Sequence, residues 1–144
     1  MKQVAIIGAG IMGRGIIQWA AEAGATVLAF DTRAGEAAKA LAFVRDLLGR
    51  AVTKGRLSEA AREDTLRRIR VVETMAELAP ADLVIEAVIE DLEVKRRLFV
   101  ELEHVISDEA ILCTNTSSLS VTACARDCRL PGRIAGLHFF NPVP

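Results

Sequence analysis

Short apolar runs alternate along this chain with longer segments of helical period. Near-continuous apolar stretches occupy residues 3–8 (QVAIIG), 26–31 (TVLAFD), 70–73 (RVVE), 82–88 (DLVIEAV), 110–115 (AILCTN) and 133–139 (RIAGLHF). Runs of that length without polar alternation suit strands covered on both faces. Between them, residues 34–54 carry Ala37, Leu41, Val44, Leu48 and Ala51 at 3.6-residue spacing, with Glu36, Lys39, Asp46 and Arg50 opposite, and Gly55 is placed to end the helix. Residues 91–106 repeat the pattern: Val94, Leu98, Leu102 and Val105 form the apolar side, while Lys95, Glu101 and His104 face elsewhere. Strand and helix in alternation predict an α/β domain over residues 1–144, built on a doubly wound, mostly parallel sheet. No internal repeat, linker or low-complexity tract breaks it.

The first strand runs directly into Gly8-x-Gly10-x-x-Gly13, which opens a helical segment holding Ile16, Trp19 and Ala20. Gly8 permits a tight turn, Gly10 lets a pyrophosphate approach the backbone, and Gly13 allows close helix packing. The free amides of the helix start, with the positive end of its dipole, then face the phosphates. Asp31 follows at the end of the second strand, where a carboxylate can accept from an adenosine ribose. A Rossmann-type fold with NAD as cofactor is the expectation. The Asp31 charge disfavours a ribose 2′-phosphate, and Arg33 two residues later works in the other direction. The bland alternative makes the glycines a turn and Asp31 a helix cap.

Composition narrows the partners. With 18 Lys and Arg against 19 Asp and Glu, the formal net charge is −1 over 144 residues, so neither nucleic acid nor an anionic membrane is an expected partner. Hydrophobic residues make up 51% of the chain, ample for one packed core. The N-terminal stretch mimics a secretory signal as far as Ala21-Glu22-Ala23, but Arg14 and the spaced glycines interrupt its apolar run. Three cysteines, Cys113, Cys124 and Cys128, signal no disulfide framework and fit a reducing cytoplasm. Cys124 and Cys128 share a helical spacing without neighbouring ligands, and no metal site is expected.

Three stretches fall just past strand ends, the edge where open α/β sheets bind ligands. EAVIEDLEVK places Glu90 and Lys95 after the fourth strand, and TNTSSLS places Asn115, Ser117 and Ser118 after the fifth. Serines there equally suit N-capping, and the Glu90–Lys95 pair equally suits a solvated helix start. His138 lies between Leu137 and Phe139. It reads either as a core histidine bonded to a backbone carbonyl or as a proton acceptor, since imidazole has an ordinary pKa of ~6.5.

Taken together, GAGIMGRGI, LVIEAVIEDLEVKRRLF, NTSSLSVT and AGLHFFNPVP resemble the short-chain L-3-hydroxyacyl-CoA dehydrogenases, bacterial 3-hydroxybutyryl-CoA dehydrogenases among them, over the whole length of the chain. The resemblance implies NAD-dependent oxidation of the 3-hydroxyl of an L-3-hydroxyacyl-CoA to the 3-oxoacyl-CoA, or the reverse reduction, in fatty acid metabolism. It implies that Gly8, Gly10, Ile11, Met12, Gly13 and Asp31 bind the adenosine and pyrophosphate of NAD, with Glu90, Lys95 and Asn141 near the nicotinamide half. Ser117 would touch cofactor and substrate, His138 would be the catalytic histidine, and Lys54 would contact CoA. Leu47 departs from the pattern, standing where some relatives have a CoA-contacting serine. The family also implies more chain beyond Pro144: the end of this domain and a helical domain for substrate contact and homodimerisation. With it would come a glutamate that pairs with the histidine, so residues 1–144 alone are expected to be inactive. Rival readings are the dehydrogenase module of a multifunctional fatty-acid oxidation protein, a sugar-acid dehydrogenase relative, and an NAD-binding or structural protein without turnover.

Overall fold

The structure, a computed structural model describing residues 2–143, builds a sheet from β1 (Gln3–Ile7), β2 (Thr26–Phe30), β3 (Ile69–Val71), β4 (Leu83–Glu86), β5 (Ile111–Thr114) and β6 (Ile134–Gly136). Every pairing is parallel, in the order β3-β2-β1-β4-β5-β6, the doubly wound arrangement expected from the alternation of elements. The helices are α1 (Ile11–Glu22), α2 (Glu36–Thr53), α3 (Glu59–Arg67), α4 (Leu92–Glu103) and the single turn α5 (Val121–Cys124).

Side chains alternate across the strands into two cores. Val4 and Ile6 of β1 join Ile16, Ile17, Ala40, Val44 and Leu48 of α1 and α2 on one face. On the other, Ala5 and Ile7 join Leu98, Phe99 and Leu102 of α4 with Cys124 and Cys128. Each fully buried side chain of that size contributes roughly 1.5–3 kcal/mol. All three cysteines are buried and free.

The register places the carboxyl ends of five strands in one row: Phe30 opposite Ile7, Ile7 opposite Glu86, Glu86 opposite Thr114, and Thr114 opposite Gly136. The chain reverses its winding between β1 and β4, with α1 on one face of the sheet and α4 on the other, the position of the ligand crevice in such folds.

Several expectations need correction. Helix α3 lies where the apolar pattern predicts no element, because charged residues dominate it and its buried residue is the polar Thr65; Ser58 starts it by accepting from the Ala61 amide at 3.1 Å. The apolar side of α4 is set by Lys95, Leu98, Phe99 and Leu102, while Val94 is exposed. Lys95 therefore faces the sheet and not solvent, at 1% exposure, because two carboxylates meet it there. The sixth strand is shorter than 133–139. With β5 ending at Thr114, its ladder stops when the Leu137 amide bonds the Thr114 carbonyl at 2.9 Å. Among the described residues β6 is an edge strand, with Ala135 and Gly136 exposed. By contrast, Gly55 ends α2 as expected: at φ 68° it donates to the Val52 carbonyl while the next amide, of Arg56, reaches Ala51.

Candidate functional site

The glycine loop is closed on two sides and open on one. Gly8 has φ 96°, and a Cβ there would lie 2.5 Å from the Ala87 carbonyl oxygen, so the loops after β1 and β4 touch through the missing side chain. A Cβ on Gly13 would lie 1.7 Å from the Gly8 carbonyl oxygen, which holds the start of α1 directly against the turn. Around Gly10 a Cβ would meet nothing within 4 Å. No side chain caps α1, whose first turn contains Ile11, Met12 and Gly13. Uncapped amides facing open space at a helix start fit a pyrophosphate.

Asp31 closes the other end of this half-site. Its Oδ2 accepts from the Ala9 amide at 2.8 Å, and its Oδ1 from the Arg33 amide at 2.9 Å and from Arg33 Nε at 3.3 Å. Burial alone pushes this carboxyl up, but the Arg33 side chain and the two amides outweigh it and hold it below the usual carboxylate value. Asp31 is thus an anion near neutrality, and it ties the glycine loop to the end of β2. A cavity of about 140 Å³ beside it, with Arg33, Val71 and Glu73 among its walls, lies beyond the ends of β2 and β3. The adenosine half of NAD fits here: a carboxylate for the ribose and a recess next to it.

Beneath the crevice lies a cluster of buried charge. Glu86, wholly buried at the end of β4, accepts from Lys95 Nζ at 2.8 Å, the Val88 amide at 2.7 Å and Thr114 Oγ at 2.7 Å. Lys95 Nζ also lies 3.1 Å from Glu90 Oε2. Glu90 Oε1 in turn accepts from the Thr116 hydroxyl, the Ser117 amide at 3.1 Å, and the Ser118 amide and hydroxyl at 3.4 and 3.3 Å. Partial burial pushes the Glu90 carboxyl up, yet Thr116 and Lys95 bring it down to about 2. What this cluster shows to solvent is Glu90, at 38% side-chain exposure, and not the Lys95 ammonium. Neither Ser117 nor Ser118 caps the next helix; Ser120 does, accepting from the Ala123 amide at 3.2 Å.

Past β6 the chain stays extended and runs over α1. Leu137, Phe139 and Val143 turn inward onto the α1 core, and Phe139 meets Trp19 edge-on with ring centroids 5.1 Å apart. Gly15 makes room for Val143, whose Cβ would lie 2.8 Å from a Cβ at that position. The intervening His138 and Phe140 are exposed and face each other, ring centroids 4.6 Å apart. Exposure removes the core-histidine alternative for His138. Asn115 Oδ1 accepts from the Phe139 amide at 2.7 Å, so a side chain carries on the tie between β5 and β6 where the backbone ladder stops.

One sheet edge therefore gathers the glycine loop, Asp31, Glu90, Ser117 and His138, each within a few residues of the row of strand ends. Asn141 is exposed on the same C-terminal segment. Lys54 and Leu47 do not join them: they line a groove of about 350 Å³ with Gln18 and Glu22, along the second half of α1 and toward the opposite edge. Sequence reasoning passed over Glu86, Thr114 and Thr116. Glu86 was the findable one, since a single acid inside the apolar run LVIEAV must meet a partner when buried. The two threonines carry no such mark.

The chain matches the model of the 3-hydroxyacyl-CoA dehydrogenase NAD-binding domain over residues 3–144. It is 46% identical over its whole length to a 3-hydroxyadipyl-CoA dehydrogenase of Escherichia coli, of which it spans 30%. It is 43% identical to a 3-hydroxybutyryl-CoA dehydrogenase of Bradyrhizobium diazoefficiens, of which it spans 49%. A Pseudomonas putida fatty acid oxidation complex subunit alpha is 40% identical over 143 residues, 20% of its length. Among solved structures, a 3-hydroxybutyryl-CoA dehydrogenase from Escherichia coli superposes with a TM-score of 0.96 at 46% identity, covering 99% of this chain and 30% of that one. With the matched residues spanning both the glycine loop and the His138 segment, the chain belongs to the NAD-binding domain family of the 3-hydroxyacyl-CoA dehydrogenases.

Proposed function

We propose that the protein carrying this chain oxidises the 3-hydroxyl of an L-3-hydroxyacyl-CoA to the 3-oxoacyl-CoA with NAD, or runs the reverse reduction, with His138 as proton acceptor. The observation that carries this reading is the row of strand ends. Ser117 leaves β5 three residues after Thr114, and His138 leaves β6 two residues after its partner Gly136. Both thus stand just past the ends of adjacent strands, at the edge that holds the glycine loop. Bound nicotinamide supplies hydride acceptance. This chain's residues do the rest: an alcohol releases hydride readily only as its proton leaves, and an exposed imidazole at neutral pH can take that proton. The Ser117 hydroxyl is positioned to orient the substrate oxygen. Asp31 favours NAD over NADP.

The acyl-CoA substrate, the Lys54 contact with CoA, a homodimer and a cytoplasmic location complete the proposal, and residues 1–144 alone bind NAD without turnover. NADH oxidation by the full-length protein on adding acetoacetyl-CoA tests it. No turnover by folded, NADH-binding protein rules the reading out. The resemblance to the Pseudomonas putida subunit supports a second arrangement, in which this domain is one module of a larger multifunctional protein; the size of the intact gene product decides between them.

A further inference from the structure

We propose that Glu86 is a positioning residue of the reaction: through Lys95 it fixes Glu90, and through Glu90 the loop that presents Ser117. The role in turnover rests on the dehydrogenase reading above. The relay itself rests on geometry. Lys95 Nζ is shared between Glu86 Oε1 at 2.8 Å and Glu90 Oε2 at 3.1 Å, and its side chain is 1% exposed; among the described residues Glu86 is what ties it to β4. Glu86 is itself fixed by the Val88 amide and the Thr114 hydroxyl, both on the row of strand ends or just past it. Beyond Lys95, a single carboxylate oxygen of Glu90 collects the amides of Ser117 and Ser118 and the hydroxyl of Thr116, which in turn accepts from the Leu119 amide at 2.9 Å. Fold stability does not call for such a cluster, since apolar side chains of similar volume commonly do as well as buried ion pairs. What the cluster supplies is a rigid line from the sheet to a loop that has no strand or long helix to hold it. Glu86 has no exposed surface with which to meet substrate or cofactor.

Glu86→Gln tests this in the full-length protein. Glutamine keeps the shape, and the Thr114 hydroxyl can rotate to accept from the new amide, so the change removes charge and little else. Lys95 keeps a neutral acceptor in the amide oxygen but loses the buried charge that anchors it, so its ion pairing falls to Glu90 and the fixed point of Glu90 is weakened. Amide exchange of Ser117 and Ser118 is expected to speed up by about tenfold or more, with the amides of β1 and β2 unchanged. With acetoacetyl-CoA, kcat is expected to fall by about 10- to 100-fold, the usual cost of a small misplacement, while the KM for NADH holds. In a Ser117→Ala background the same change should add no further loss, because both act through one group. Thr114→Val releases one bond of Glu86 and should give the same pattern at smaller amplitude, which keeps the test available should Glu86→Gln not fold. Unchanged exchange at Ser117 and Ser118, a loss of protection spread over the whole sheet, or additive kinetic losses would each overturn the relay. Wild-type protein that binds NADH but leaves acetoacetyl-CoA untouched would defeat the dehydrogenase reading instead, and the exchange data would still decide whether Glu86 holds the loop.

Discussion

Two glycines five residues apart on the ligand-facing edge, Gly8 and Gly13, meet through contacts that leave no space for a methyl group, whereas Gly10 between them is open, and this contrast predicts opposite behaviour for two small substitutions. A Cβ at Gly13 would lie 1.7 Å from the Gly8 carbonyl oxygen and 2.7 Å from its carbon. Carbon does not approach carbonyl oxygen closer than about 3 Å, so helix and turn must part by well over an ångström. Both partners are backbone, and neither can rotate away. Overpacking of this kind costs about 1–3 kcal/mol or more, and it also moves the α1 amides off the crevice. For Gly13→Ala we expect a melting temperature lower by several degrees and weak NADH binding. Gly10→Ala should behave differently. Its φ of −69° is open to alanine and its Cβ would touch nothing, so stability should stay within about 0.5 kcal/mol. That Cβ nevertheless points into the space where the pyrophosphate must approach the backbone. NADH affinity should fall at least about tenfold, near 1.4 kcal/mol. Thermal melting and an NADH fluorescence titration on the same preparations measure both quantities. Normal NADH binding by Gly10→Ala would place the dinucleotide elsewhere, and an unchanged melting temperature for Gly13→Ala would refute the packing argument.

Asp31→Ala should weaken NADH by about tenfold or more, the worth of bonds to a charged acceptor, and narrow its advantage over NADPH because the repelling charge is lost too; equal NADH and NADPH affinities in the wild type would remove the basis for this. His138→Ala should lower kcat by about 10²- to 10⁴-fold with melting temperature and NADH affinity nearly unchanged, since the ring is exposed and lies against the exposed Phe140. Near-normal kcat in that variant would end its role as proton acceptor. The Glu90 carboxyl, lowered from 4.5 to about 2 in the folded chain, stabilises the fold above pH 4.5, and this contribution is lost as the pH falls toward 2. Acid unfolding curves of Glu90→Gln should therefore differ from wild type at neutral pH and converge with it over that window; a constant offset at all pH values would show that Glu90 does not titrate this way.

The legible parts of this molecule are those where one residue type answers to one local constraint. The six apolar runs became six strands because a strand covered on both faces leaves little room for polar residues, and the glycine spacing marked the loop because Gly8 and Gly13 have no alternative. Asp31 was legible for a similar reason: a carboxylate at that distance from the glycines has a known place. Less legible was whatever depended on two elements at once. Val94 and Lys95 sit side by side on α4, and the period allows either to face the sheet; only Glu86, on another element, makes Lys95 the buried one. Helix α3 has Ala60, Ala61 and Leu66 as its apolar residues, too few to stand out as a stripe. The length of β6 was set by where β5 ends, a fact about its neighbour.

Those same two-element contacts explain how so short a set of loops can hold a site. Apart from α1 and Lys95 of α4, the residues proposed to act at this edge stand on segments without long secondary structure, where backbone positions are ordinarily mobile. Each segment is held instead by an acceptor at or just past a neighbouring strand end: Asp31 for the glycine loop through the Ala9 amide, Glu90 for the serine loop, and Asn115 for the His138 segment through the Phe139 amide. The three acceptors follow β2, β4 and β5, so the parallel register that aligns the strand ends also aligns the loops. A slip of one residue between β5 and β6 would leave His138 where Leu137 now is, facing the α1 core, and would turn the proposed proton acceptor away from the hydroxyl it has to reach.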